Sequence, residues 1–293
     1  RTLIEKAFGF SRFRSLPKWK HAGTRSLEKN KLFQNKKCDV KSDKPPVALL
    51  ADTFNFYFEP ENILAAIRVL SFAGYTPIIV KPISGRRPLC CGRTFLSAGL
   101  VDEAKVEMNR LVDSVLPYVH DNIPIVGLEP SCLLTLRDEL IAVLPGKKSD
   151  LIASNVRLFE EFLADEITAN NLTLHLKSLM EKKVLIHGHC HQKALSNLNV
   201  VEKVLKLIPN LDIEILDTSC CGMAGAFGYQ AETYETSIKM GEMKLFPAIR
   251  ASRPDTIIVA DGTSCRHQII HGTQKNALHV ARILERCLPS DVG

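Results

Sequence analysis

Two Cys-Cys-Gly triplets, at residues 90–92 and 220–222, constrain the fold and chemistry of this chain more than any other feature. Each triplet lies between an earlier polar motif and a later Ser-Cys pair. The four flanking motifs are, in chain order, Asp52-Thr53-Phe54, Glu129-Pro130-Ser131-Cys132, Gly188-His189-Cys190-His191 and Gly262-Thr263-Ser264-Cys265. Corresponding positions are separated by roughly 130 residues, which predicts an internal duplication.

The composition is typical of soluble globular proteins, with 45% hydrophobic and 24% charged residues over 293 positions. No apolar run approaches the roughly 20 residues that a membrane helix needs. No hydrophobic signal segment opens the chain, and its first residue is Arg1. We therefore expect a fragment or processed part of a longer polypeptide, with a cytoplasmic location, either free or peripheral at the inner membrane face.

Positive charge is concentrated at the amino terminus, where residues 1–37 carry 11 Lys or Arg against 2 acidic residues. Such an arm either contacts an anionic surface or an acidic partner domain, or is a solvated linker. Nucleic-acid binding is not expected, because the arm contains no recognisable module and the rest of the chain is not basic.

Short apolar runs alternate with helical periodicity in both repeats. The predicted strands are 46–50, 76–80, 123–128, 183–186, 213–216 and 256–260, and the predicted helices include one that begins at Pro60 and others at about 97–119, 195–207, 232–250 and 276–287. Each repeat therefore reads βαβαβ, which predicts an α/β fold with parallel strands and two duplicated Rossmann-like halves related by pseudo-twofold symmetry.

This pattern divides the chain into four predicted segments. They are a basic arm over 1–44, a first repeat over 45–133, a helical insert over 134–181, and a second repeat with a closing helix over 182–293. Ligands of such sheets gather outside the carboxyl ends of the strands. Because most of the cysteine motifs follow predicted strands, we expect them to converge at that edge.

The second repeat supplies the stronger candidate metal site, with Cys190, Cys220, Cys221 and Cys265. Four thiolates suit a [4Fe-4S] cluster or a tetrahedral zinc ion. Neighbouring cysteines can serve one site only across a turn, and Gly222 provides the permissive backbone for it. In strand geometry His189 and His191 would face away from Cys190. This favours a role as hydrogen-bonding partners of the metal ligands, or as groups that face a substrate. Alternatively, His187 and His191 hydrogen-bond the strand ends.

The first repeat has only three patterned thiols, Cys90, Cys91 and Cys132, because Thr53 stands at the position of Cys190. Its fourth ligand is then an exogenous group or a carboxylate of Asp52 or Glu129, or the site binds nothing. The remaining thiols, Cys38 and Cys287, lie outside the pattern and are interpreted as incidental or core residues.

These motifs together resemble the cysteine-rich CCG-domain family. The residues that carry the resemblance are Asp52-Thr53-Phe54 with Tyr57-Phe58-Glu59-Pro60, Glu129-Pro130-Ser131-Cys132, His189-Cys190-His191-Gln192-Lys193 and Cys220-Cys221-Gly222-Met223-Ala224-Gly225. The family includes iron–sulfur subunits of glycolate oxidase, lactate-utilisation and anaerobic glycerol-3-phosphate dehydrogenase systems. The chain is most similar to the carboxyl-terminal part of fused FAD and iron–sulfur oxidoreductases of the D-lactate or glycolate dehydrogenase type.

The resemblance implies an iron–sulfur electron-transfer module that passes electrons from a reduced flavin towards a quinone or other acceptor. FAD would lie on an upstream domain or a partner subunit, and the basic arm would pack on that flavin-bearing portion. Single Cys132 and Cys265 replace the family's Cys-x-x-Cys pairs, which argues against a double-site cluster. The alternative is a structural zinc-binding docking domain of an oxidoreductase complex without its own redox role.

Overall fold

The computed structural model describes residues 2–20, 44–85 and 87–289. Cys38 and most of the predicted basic arm, residues 21–43, lie outside the described residues. The described helices are α1 Thr2–Phe8, α2 Thr53–Tyr57, α3 Pro60–Phe72, α4 Arg93–Ser97, α5 Val101–His120, α6 Pro130–Leu133, α7 Glu139–Val143, α8 Lys147–Asn155, α9 Phe159–Thr168, α10 Cys190–Leu195, α11 Asn199–Leu205, α12 Tyr234–Met243, α13 Leu245–Ala251, α14 Thr263–Thr273 and α15 Val280–Arg286. The strands are β1 Pro46–Leu50, β2 Thr76–Ile79, β3 Ile125–Gly127, β4 Val156–Leu158, β5 Lys183–Ile186, β6 Asp212–Ile215, β7 Ile257–Val259 and β8 Ala277–Leu278.

The chain divides into two compact units. The first-repeat unit comprises Trp19–Lys177 with Ala281–Gly293, and the second-repeat unit comprises Arg1–Lys18 with Ser178–Val280. Each unit contains one four-stranded sheet, with the orders β2-β1-β3-β4 and β6-β5-β7-β8. All strand pairs in both sheets are parallel. The mixed α/β architecture expected from the sequence is therefore present in both units.

The strands form where short apolar runs are covered by helices. In the first-repeat unit Val47, Ala48 and Leu49 of β1 are fully buried, and β1 pairs with β2 on one side and β3 on the other. The second unit repeats this arrangement with β5 between β6 and β7. Burial of central parallel strands explains why they read as continuous apolar runs rather than as an alternating pattern.

Each sheet has one strand more than the sequence predicted. Strand β4, Val156–Leu158, lies in the segment expected to be a helical insert, and β8, Ala277–Leu278, lies where the closing helix was expected to begin. The βαβαβ interpretation was therefore incomplete, and the closing helix is limited to Val280–Arg286. Strands of three and two residues are too short to give a periodic signal, so only pairing with their neighbours defines them.

Two predicted helices are each divided in the structure. The segment 232–250 forms α12 and α13, which are separated at Lys244. The segment 195–207 is divided between α10 and α11. Helix α10 starts earlier than expected, at Cys190, and ends before Ser196, whose backbone is extended. Among the described residues, no helix combines the length and the apolar composition that crossing a bilayer requires.

Candidate metal centre

The Cys-Cys-Gly turn has the same local geometry in both units. Gly92 has φ +79° and Gly222 has φ +92°, a left-handed backbone that glycine adopts without the penalty of a Cβ atom. The glycine amide points back to the first sulfur, with Gly92 N at 3.5 Å from Cys90 Sγ and Gly222 N at 3.3 Å from Cys220 Sγ. The predicted need for glycine in these turns is confirmed.

The three patterned thiols of the first repeat lie together. Cys90 contacts Cys91, and Cys91 contacts Cys132. The triplet precedes α4, whereas Cys132 lies in α6 directly after the short strand β3. Strand ends therefore bring together cysteines that are distant in the chain, as expected for a parallel sheet.

Carboxylates surround this first cluster of thiols. Asp52 and Glu129 are buried, with 5% and 2% exposed surface, and each begins a helix by accepting hydrogen bonds from backbone amides. Burial and the neighbouring charge of Glu129 raise the pKa of Asp52 to about 7. A hydrogen bond from Cys91 lowers the pKa of Cys132. Burial and the charges of Asp52 and Glu129 outweigh it and raise that pKa to about 11. Without a cation this site therefore holds thiols rather than thiolates.

The four patterned thiols of the second repeat form a continuous chain of contacts. Cys190 hydrogen-bonds to Cys220, Cys220 to Cys221, and Cys221 to Cys265. Cys190 is the first residue of α10, the doublet follows β6, and Cys265 lies in the first turn of α14. The structure thus brings together all four residues that the sequence proposed as one ligand set.

Two of these four sulfurs are favoured as thiolates. Hydrogen bonds from Cys190 and Cys221 lower the pKa of Cys220 to about 2. A hydrogen bond from Cys221 also lowers the pKa of the buried Cys265, and the nearby imidazole of His187 acts in the same direction. The donors Cys190 and Cys221 have raised pKa values for the complementary reason. This arrangement concentrates negative charge where a metal ion would bind.

A histidine outside the predicted ligand set, His187, lies beside this cluster. The ligand atoms of His187, Cys221 and Cys265 all lie within 4.8 Å of one another. His187 Nδ1 is 2.8 Å from the hydroxyl of Thr218, which leaves Nε2 directed to the sulfur of Cys265. The same Nε2 could instead bind a metal ion held by Cys221 and Cys265. The only sequence signal of His187 is its position directly after β5.

The neighbouring histidines are placed differently from the expectation. His189 is the N-cap of α10, and its Nδ1 accepts a hydrogen bond from the amide of His191 at 3.1 Å. The two rings stack with centroids 5.2 Å apart. The strand alternation expected for His189, Cys190 and His191 is absent, because β5 ends at Ile186 and α10 begins at Cys190.

The donor set of the second site fits both groups that the sequence proposed. Thiolate sulfur and imidazole nitrogen are the usual protein ligands of zinc, and thiolates hold iron–sulfur clusters. His187 shows the second interaction typical of metal-binding histidines, because its other ring nitrogen is oriented by a hydrogen-bonding group. Cys221, Cys265 and His187 are buried, which excludes water from competing for the same positions.

Replacing Thr218 by valine tests whether this orientation matters. The isosteric change removes the hydroxyl that holds His187 Nδ1, and loss of such an outer partner commonly costs about 10- to 100-fold in metal affinity. In competition with a chelator, we expect T218V to bind zinc about 10- to 100-fold more weakly than wild type. T256V is the matched control, since Thr256 is also buried but lies before β7, away from its carboxyl end. Equal zinc affinity in both variants would contradict a role for His187.

Sequence comparisons identify a family model and several known proteins to which this chain is similar. A family model described as the cysteine-rich domain CCG matches residues 184–270, within the second-repeat unit. One subunit of the anaerobic glycerol-3-phosphate dehydrogenase of Escherichia coli K12 is 29% identical over 289 residues, which are 98% of this chain and 69% of that protein. These relationships show that the chain carries a CCG domain and is homologous to a dehydrogenase subunit.

A second group of relatives is much longer than this chain. The D-2-hydroxyglutarate dehydrogenase of Escherichia coli K12 is 24% identical over 230 residues, covering 78% of this chain and 21% of that enzyme. The enzyme of the same name from Pantoea ananatis is 23% identical, covering 76% of this chain and 20% of its own length. The chain thus corresponds to about a fifth of these dehydrogenases, and its relatives are oxidoreductases.

Proposed function

We propose that this homologue of dehydrogenase subunits, with its CCG cysteine-rich domain over residues 184–270, is the iron–sulfur electron-transfer part of a flavin-dependent dehydrogenase. The observation that carries the proposal is the unbroken contact from Cys190 through Cys220 and Cys221 to Cys265. Four sulfurs from three separate segments of the chain lie side by side, as a compact inorganic cluster requires.

The four cysteines would hold a [4Fe-4S] cluster, which takes up and releases single electrons when bound. Cys220 and Cys265 supply the favoured thiolates, while Cys190 and Cys221 would lose their protons on binding. The imidazole of His187, beside Cys221 and Cys265, either completes the ligand set or donates a hydrogen bond to a sulfur. Hydrogen bonds to the sulfurs are among the factors that set cluster potentials.

The first repeat would provide a second centre of different character. Cys90, Cys91 and Cys132 offer three sulfurs, and Asp52 or Glu129 offers the oxygen that completes the set. The carboxylates and the raised thiol pKa values predict weaker occupancy there than in the second repeat. A bound cation would reverse this preference for the protonated state.

The relatives indicate the reaction that this part would serve. Their names specify glycerol 3-phosphate and D-2-hydroxyglutarate as substrates, so we propose oxidation of a D-2-hydroxy acid or a related alcohol on a flavin-bearing domain or partner subunit. A quinone or another carrier at the inner membrane face would accept the electrons. The equivalent strand orders of the two sheets support an ancestral duplication, with one repeat near 45–133 and the other from 182 to about 280, because Ala281–Gly293 belong to the first-repeat unit.

Electron transfer is tested with anaerobically purified chain and photoreduced free FMN. We expect the visible absorption of the chain to bleach on mixing and to return when a soluble quinone such as menadione is added. A chain that contains iron and sulfide but is neither reduced by the flavin nor reoxidised by the quinone would contradict the proposed electron-transfer role.

A structural zinc site is the second candidate function, and one observation favours it. The mutual approach of His187, Cys221 and Cys265 within 4.8 Å matches the mixed sulfur and nitrogen ligands of structural zinc. This alternative predicts about one zinc per chain, no visible absorption, and unfolding when zinc is chelated. Metal analysis of a single preparation separates it from the iron–sulfur proposal.

A further inference from the structure

The amino-terminal segment contributes one buried cation to the second-repeat unit. Ser11 N donates to Tyr229 O and Ala231 N donates to Gly9 O, both at 2.7 Å, which fixes the segment against the chain before α12. Arg14 follows this attachment and retains only 6% of its surface exposed. Its guanidinium is therefore enclosed by the unit that carries the four-cysteine site.

The partners of the Arg14 guanidinium are neutral. It donates to Gly228 O at 2.9 Å, to Gln268 Oε1 at 2.7 Å and to Ser237 Oγ at 3.3 Å, and it lies 5.2 Å from the ring centroid of Tyr234. Within residues 2–20, 44–85 and 87–289, no carboxylate forms an ion pair with it. A buried charge without a counter-charge is destabilising, so an anionic group near Arg14 would stabilise it.

A short hydrogen-bond relay joins Arg14 to the cysteine turn. The amide of Gln268, which accepts from Arg14, donates through Nε2 to the carbonyl oxygen of Cys221 at 2.8 Å. The same Nε2 lies 3.0 Å from Ser237 O, and an alanine Cβ at Gly222 would lie 2.3 Å from that oxygen. Arg14 and the turn thus share their supports, and Arg14 also interacts electrostatically with Cys221.

We infer that Arg14 is the counter-charge of the anionic metal–thiolate centre in the second repeat. A centre held by several thiolates carries net negative charge, and that charge increases when an electron is added. A fixed cation in a buried environment stabilises the more negative state, because low polarity leaves the attraction unscreened. Arg14 would therefore raise the reduction potential of the centre and strengthen metal binding.

This inference deepens the proposed function and rests on it. A residue that only holds the segment in place would not require a charge, whereas a counter-charge does. Lysine at position 14 keeps the charge but loses the planar set of donors. Glutamine keeps polarity and approximate length but removes the charge. Comparing these two substitutions separates the electrostatic contribution from the contribution of packing.

The test is a spectroelectrochemical titration of the reconstituted chain with Arg14→Gln, Arg14→Lys and Arg12→Gln. Arg12 is the matched control, because it lies in the same segment with 47% of its side chain exposed. At the wild-type midpoint we expect the reduced-to-oxidised ratio of R14Q to fall about tenfold, which is 59 mV for a one-electron centre. R14K and R12Q should remain close to wild type.

The outcomes distinguish the inference from the function on which it rests. A wild-type chain that binds no iron overturns the iron–sulfur proposal, and zinc affinity by chelator competition then tests Arg14, with about a tenfold loss expected for R14Q. A wild-type chain with an intact centre whose potential is the same in R14Q and R12Q overturns the role of Arg14. A shift of R14K as large as that of R14Q would also overturn it, because packing rather than charge would explain the effect.

Discussion

Replacing Cys265 by serine is expected to abolish iron binding at the second site while the chain remains folded. Cys265 is 1% exposed and lies close to both Cys221 and His187, so it belongs to the most buried part of the proposed ligand set. Structural zinc sites bind with about 10–16 kcal/mol, so each of four ligands in a site of that strength contributes about 3 kcal/mol. Loss of one thiolate then weakens metal binding at least about 100-fold.

Cys287 provides the control for this substitution. It is also fully buried, but it belongs to the first-repeat unit and lies outside both cysteine clusters. We expect C287S to retain iron, sulfide and visible absorption at the wild-type level. The measurement is metal content and absorbance of both variants after anaerobic reconstitution. Retention of the second centre in C265S, with loss in C287S, would contradict the assignment of Cys265.

Replacing Gly222 by alanine is expected to destabilise the second-repeat unit by about 3–5 kcal/mol. The residue has φ +92°, and an added Cβ would lie 2.3 Å from the backbone oxygen of Ser237. That oxygen belongs to helix α12 and cannot move as a flexible side chain would. The turn would have to open, which separates Cys220 and Cys221 from the other ligands.

Gly225 is the matched control, because it has φ +64° in the same loop but a Cβ added there would have no atom within 4 Å. G225A should therefore cost only the backbone penalty of about 1–2 kcal/mol. Urea unfolding of the metal-free chain, followed by circular dichroism, measures both changes. Equal losses of stability in G222A and G225A would show that contact with Ser237 does not constrain the turn.

The sequence was sufficient to predict the convergence of the cysteines, because this follows from the topology of parallel sheets. The strands β1, β3, β5 and β7 are apolar and buried, and each is followed by a motif that carries a cysteine or a carboxylate. The glycines of the two turns were predictable for a local reason, since adjacent cysteines cannot face one site in an extended chain.

The features that were missed depend on contacts between distant residues. Strands β4 and β8 are defined by pairing with β3 and β7, and their own sequences are too short for a periodic signal. His187 differs from other strand-end histidines only in what surrounds it. Arg14 lies 254 positions from its partner Gln268, and no local pattern distinguishes it from the exposed basic residues beside it.

The central claim is that the gathered sulfurs of the second repeat hold an iron–sulfur cluster. Its most direct test is the determination of iron, acid-labile sulfide and zinc in anaerobically purified, folded wild-type chain. The account predicts about four iron and four sulfide for the second centre, with loss of both in C265S. A folded wild-type chain that contains zinc, or no metal, and no sulfide after reconstitution would contradict the claim.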